Sequence, residues 1–120
     1  MNRDQFSGKV KVEWLDNDPR KMRLLETIIF TDKLGLEWEA PKGSVIDGAS
    51  IPRFFWRVIG SPFVGYYRRP SVIHDVYCET MSRPAQDVHD MFFEAMIADG
   101  VEDDKAQRMY QAVNSFGPRW

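Results

Sequence analysis

Apolar and polar positions alternate at the start of the chain. Val10, Val12 and Trp14 are interleaved with Lys9, Lys11 and Glu13, the period of a strand with one buried face. Asp16 to Arg20, with Asn17-Asp18-Pro19 inside it, interrupts that pattern. A second strand-like run extends from Met22 to Thr31 and ends in the β-branched and aromatic string Thr27-Ile28-Ile29-Phe30. Asp32-Lys33-Leu34-Gly35 carries turn chemistry. Leu36, Trp38 and Ala40 then share one face against Glu37 and Glu39, which predicts a hairpin. Pro41-Lys42-Gly43 closes the sheet, so residues 8–41 are expected to form a small antiparallel sheet with a solvated charged face.

Beyond Ser50 the period lengthens. Ser50 is placed to cap a short helix entered through Pro52, carrying Phe54, Phe55, Trp56, Val58 and Ile59 and stopped by Gly60 and Pro62. After the irregular stretch Ser61 to Tyr67, Pro70 opens a second helix that runs to Thr80 or Met81, with Ile73, Val76 and Tyr77 as its core-facing stripe. A third helix is expected from Pro84 to Ala98, capped by Ser82. It has two apolar stripes, one of Val88, Met91, Phe92 and Ala95 and one of His89, Phe93 and Met96, and should be mostly buried. Asp99-Gly100 ends it, and a last helix repeats Ala106, Met109, Tyr110, Val113 and Phe116 at helical spacing. The pattern predicts an α+β fold: a small N-terminal antiparallel sheet packed against a C-terminal layer of three to four helices, in a single domain over residues 1–120 with its helical part from about 50 to 120.

Composition narrows the function. The chain has 120 residues, 43% hydrophobic, and its eight Phe, four Trp and four Tyr can furnish a core despite the short length. Lys and Arg number 16 against 18 Asp and Glu, so no broad positive field exists to capture nucleic acid. One basic cluster, Arg53, Arg57, Arg68 and Arg69, is local; Arg68 and Arg69 are candidates for holding a small anionic substrate. The single cysteine, Cys78, excludes an internal disulfide framework. Met1 to Gln5 lack the apolar stretch of a secretion signal, and no run approaches the roughly 18 apolar residues of a transmembrane segment, which points to synthesis in the cytoplasm.

The candidate chemistry centres on His74 and Asp75. Neighbours on a helix, they point about 100° apart and can still line one cleft. His74 and Cys78 stand at i and i+4, and with His89 from the next helix they could form a three-ligand zinc site with an open position. Alternatively His74 is a general base acting on water, with Asp75 binding a hard cation such as calcium or orienting a partner. A second-helix group would complete that site, and Asp87, Asp90 and Glu94 share a helix face by their spacing. A third reading makes His74 a histidine hydrogen-bonded only for structure.

The run from Asp47 to Trp56, then Ile59 to Phe63, Tyr67 to Arg69 and Val72 to Asp75 closely resembles the domain of unknown function 1353 family. The likeness continues through Ser82-Arg83, Phe92 to Met96, Lys105 to Tyr110 and Gly117 to Trp120, and so covers most of the chain. It implies an origin in a phage, prophage or bacterium, hence synthesis in the host cytoplasm, but no activity. A weaker likeness links the helix pair to secreted phospholipases. It implies His74 as the base, Asp75 beside a calcium ion, and an acidic partner at Asp90 or, aligning on Phe92 to Met96, His89 at the acidic position. The disulfide frame of those enzymes is missing, and no glycine-rich calcium loop precedes His74.

Two functions follow as expectations. One is a phage-encoded, metal-assisted hydrolase of an ester, phosphodiester or cell-envelope component, with Arg68 and Arg69 neutralising substrate charge. The other is a non-enzymatic, tail-associated virion or host-interaction protein. It would dock on other virion proteins through Phe54, Phe55, Trp56, Phe63, Tyr66 and Tyr67, with His74-Asp75 structural.

Overall fold

A computed structural model describes residues 5–52 and 65–120. Strands β1 (Phe6–Ser7), β2 (Val12–Leu15), β3 (Asp18–Leu24), β4 (Ile28–Thr31), β5 (Glu37–Ala40) and β6 (Val45–Ile46) precede helices α1 (Arg68–Thr80), α2 (Ala85–Ala98) and α3 (Asp103–Phe116). The α+β arrangement is the expected one. The helix anticipated over Phe54 to Ile59 and the aromatic docking residues up to Phe63 lie outside the described residues; of the flanking pair, Tyr66 is exposed and Tyr67 buried.

The strands divide between two antiparallel three-stranded sheets, in the orders β1-β4-β5 and β2-β3-β6. The run from Met22 to Thr31 is therefore two strands, one in each sheet. Side chains at the break compete with the ladder for backbone donors. Glu26 accepts the Lys9 N–H (2.7 Å), and Thr27 Oγ1 accepts the Lys42 N–H (3.0 Å). Gly8 lets β1 close on this corner: its φ is +95°, and a Cβ there would sit 2.3 Å from the Thr27 carbonyl oxygen. Register then aligns the apolar faces, pairing Ile28 with Ala40 and Phe30 with Trp38 in one sheet and Met22 with Ile46 in the other.

The hairpin turn forms as its chemistry predicts. Asp32 Oδ1 accepts the N–H groups of Leu34 and Leu36 (both 2.9 Å), and Oδ2 accepts the Trp38 indole N–H (3.1 Å). Two expected core residues are instead exposed. Trp14 is 64% exposed although it pairs with the buried Met22; the register shifts just beyond it, between Trp14 and Leu15. Leu36 belongs to the turn and is 48% exposed.

Helix α1 departs most from its expected single stripe: every residue from Pro70 to Cys78 is buried. The sheets cover one side through contacts with β4, β5 and β6, and α2 covers the other. It ends at Met81, which adopts a left-handed conformation (φ 54°) and donates its N–H to the Tyr77 carbonyl. Ser82 does not cap α2. The cap position is Pro84, which has no side-chain hydroxyl to offer, and the Ser82 hydroxyl lies 3.1 Å from that of Thr80. On α3, Ala106, Met109, Ala112 and Val113 face inward, whereas Phe116 lies at the exposed end. Phe92, Met96, Met109 and Val113 form a second core cluster between α2 and α3, each such side chain contributing about 1.5–3 kcal/mol by leaving water. No helix among the described residues is long and apolar enough to cross a membrane.

Candidate functional site

His74 lies at the middle of α1 with no solvent exposure, its ring stacked on Phe92 at 4.4 Å. Its Nδ1 is 3.1 Å from the Ser50 hydroxyl, and its Nε2 is 2.9 Å from Nδ1 of His89 on α2. Nε2 of His89 lies 3.0 Å from the Pro118 carbonyl. A carbonyl oxygen can only accept, so His89 carries its proton on Nε2 and presents a bare Nδ1 to its neighbour. His74 must then donate from Nε2, which leaves its Nδ1 lone pair facing Ser50. Burial favours this neutral state: it holds His74 well below the ordinary histidine pKa, with His89 adding to the effect, and lowers His89 as well.

Asp75 turns away from His74 toward the loop before it. Its carboxylate accepts the N–H of Asp47 (3.1 Å) and of Ser50 (3.3 Å), while Asp47 Oδ1 accepts the Ala49 N–H (2.9 Å). These bonds clamp residues 47–50 onto α1 and so set the position of Ser50. Burial raises the Asp75 pKa, against the lowering effect of the bonds it accepts. The Ser50 hydroxyl also reaches Asp75 but has a single proton. Pro118 leaves His74 Nδ1 bare as an acceptor for that proton, in competition with the Asp75 carboxylate.

A cleft of about 280 Å³ opens beside this arrangement, lined by Lys21, Asp47, Ser50, Asp75, Cys78 and Pro118 among others. Neither histidine lines it. Ser50 and Pro118, the two ends of the buried chain of hydrogen bonds, both line the cleft.

His74, Cys78 and His89 do come together, with donor atoms all within 4.8 Å of one another. Their placement suits a proton better than a metal. Tetrahedral zinc, with Zn–N near 2.0–2.1 Å, sets two ligand nitrogens about 3.3 Å apart, whereas these are at hydrogen-bond distance, 2.9 Å. Cys78 Sγ is 3.8 Å from Nδ1 and 3.7 Å from Nε2 of His74, and near-equal distances put it in line with neither lone pair. Burial, and secondarily Asp75, push its thiol up to about 12, so it is protonated at neutral pH. Asp75, committed to the loop N–H groups, does not face this trio.

The other expected residues lie apart. Asp90 is exposed and accepts hydrogen bonds from Gln86 and Tyr110, and Glu94 accepts the Lys33 N–H; the second-helix partner of His74 is His89. Arg69 pairs with Asp99 (Nε–Oδ2 3.0 Å), donates to the Gly8 carbonyl and stacks on Phe6. Arg68 lines a separate cleft with Lys9 and Tyr66, so the arginine pair does not border the Ser50 cleft. Ser50 was read from the sequence as a helix cap, and no local pattern distinguishes that role from a contact with a histidine 24 positions away.

The residues that build this arrangement fall largely within a match, over residues 22–113, to the family described as "Protein of unknown function (DUF1353)". The chain belongs to this family. Two uncharacterised proteins of Sinorhizobium fredii are among its relatives. The protein y4jT is 47% identical over 116 residues, covering 96% of this chain and 34% of its own length. The protein y4iH is 35% identical over 119 residues, covering 99% of this chain and 50% of its own length. The chain thus spans between a third and a half of the length of these relatives. No solved structure matches the chain.

Proposed function

We propose that the protein is a hydrolase of carboxylic esters, with Ser50 as nucleophile, His74 as general base and His89 as the residue that orients it. One observation carries this reading: the directed chain Ser50–His74–His89–Pro118, which ends with a bare lone pair 3.1 Å from a hydroxyl at the cleft wall. Nucleophile and base within hydrogen-bond reach, and the base oriented by a third group, are the geometry of an activated serine. His74 Nδ1 takes the Ser50 proton as Oγ bonds to the acyl carbon; the ester C–O bond breaks, and the departing alcohol receives that proton. Water then cleaves the acyl-serine by the same proton route. Asp75 acts by holding the loop that carries Ser50.

The phage or prophage origin implied by the residue strings makes an ester of the cell envelope the first substrate to try. Against a panel of esters, Ser50→Ala and His74→Ala should each lower kcat on the order of 10³-fold, with the fold retained by circular dichroism. Loss in His74→Ala alone, with chelator sensitivity, would favour attack by a metal-assisted water instead. Full activity in both variants would leave His74 a structural histidine.

A further inference from the structure

We infer that the C-terminal segment Gly117–Trp120 is a positioning element of the site, fixing which nitrogen of His74 is free to accept a proton. The inference rests on the hydrolase reading for its consequence in turnover, but not for its structural content. The histidine pair can carry its protons in two directions. In one, His74 Nδ1 is bare and faces Ser50; in the other, both rings are reversed, and His74 donates to the Ser50 hydroxyl and cannot act as its base. Ser50 can accept or donate, and its contact with the Asp75 carboxylate draws its proton toward Asp75 and so pulls toward the second direction. The Pro118 carbonyl selects the first, because it accepts only from a protonated Nε2 of His89.

The segment is built to hold that carbonyl in place. Gly117 donates its N–H to the Val113 carbonyl (3.0 Å) as the chain leaves α3. A Cβ at Gly117 would stand 2.6 Å from the Val113 oxygen and 3.0 Å from its Cα, both backbone atoms, so only glycine permits this path. Arg119 donates to the Asn114 carbonyl (2.8 Å). Trp120 donates its indole N–H to the Arg83 carbonyl (2.7 Å) and sets its ring edge-on to His89 at 6.1 Å. The segment thus bridges the end of α3 to the start of α2 across His89, and Pro118 also lines the Ser50 cleft.

The decisive measurement is the tautomer of each imidazole by ¹⁵N NMR of the full chain, with Gly117→Ala to displace the segment and Trp120→Ala to release its end. In the wild type both rings should be single Nε2–H tautomers. In the variants the Nδ1–H form of His74 should become detectable, and kcat toward any ester the protein cleaves should fall roughly tenfold or more with KM unchanged, as for partners that orient a reacting group. Should Gly117→Ala not fold, Trp120→Ala, an alteration at a partly exposed position, decides the matter. Unchanged tautomers in the folded variants would overturn the inference even if esters are hydrolysed. Shifted tautomers with no turnover in any form would sink the hydrolase reading and leave this one standing.

Discussion

Two buried polar links leave α1, Arg69 to Asp99 from its first turn and His74 to His89 from its middle, and they are built on opposite principles. The first joins opposite charges: the guanidinium is held by a carboxylate and a carbonyl and stacked on Phe6. The second joins two like, neutral rings, which gain little from one another electrostatically, and it is open-ended, terminating in a hydroxyl at a cleft. An ionic link serves to hold elements together, because removing one partner strands the other charge. A neutral chain with a direction and an end at a cleft wall can pass a proton. Arg69, for all its charge, is thus tied into a structural link, whereas Ser50, an uncharged loop residue, is the proposed nucleophile.

The largest effect expected to separate the links is Asp99→Ala. It strands the Arg69 guanidinium in a mostly buried site and should cost about 3 kcal/mol in urea denaturation while leaving kcat of the folded protein unchanged. A parallel fall in kcat would show that the links are coupled. Acid should act on the second link. His74 and His89 titrate below 6.5 when folded and near 6.5 when unfolded. Below about pH 6.5 the unfolded chain binds protons that the folded one refuses. The stability from the neutral pair is thus fully present above that pH and is lost as pH falls toward the depressed folded values. For His74 the slope reaches about 1.4 kcal/mol per pH unit, with less from His89. His74→Phe should remove most of this slope and His89→Phe the smaller share, and an unaltered slope in His74→Phe would argue that His74 is not buried neutral. The smallest effect is a baseline: Trp14→Ser, at an exposed position that belongs to neither link, should change stability by no more than about 0.5 kcal/mol.

Much of the fold is legible locally. Alternation located β2 and β5, Asp32 and Gly35 marked the hairpin, and helical spacing placed α1, α2 and α3 within a few residues of their observed limits. The division into two sheets was not legible. Met22, Leu24, Ile28 and Phe30 keep one parity across the break, and the Glu26 and Thr27 bonds that turn the chain come from residues distant in sequence. Trp14 shows the same limit, since the register shift beside it depends on the partner strand.

The site divides in the same way. His74, Asp75, Cys78 and His89 could be singled out from residue type and spacing, and the choice between His89 and Asp90 followed once α1 and α2 were packed. Ser50 and Pro118 could not be singled out, because neither carries unusual chemistry until it is set beside a histidine. Residue type and periodicity determined the α+β class, the helices and the ionisable residues open to use, since those are properties of short stretches of chain. Which nitrogen meets which oxygen was decided by tertiary structure alone: a hydrogen bond depends on separation in space, and Ser50, His74, His89 and Pro118 are brought within about 3 Å of their neighbours only by the packing of a loop, two helices and the chain end.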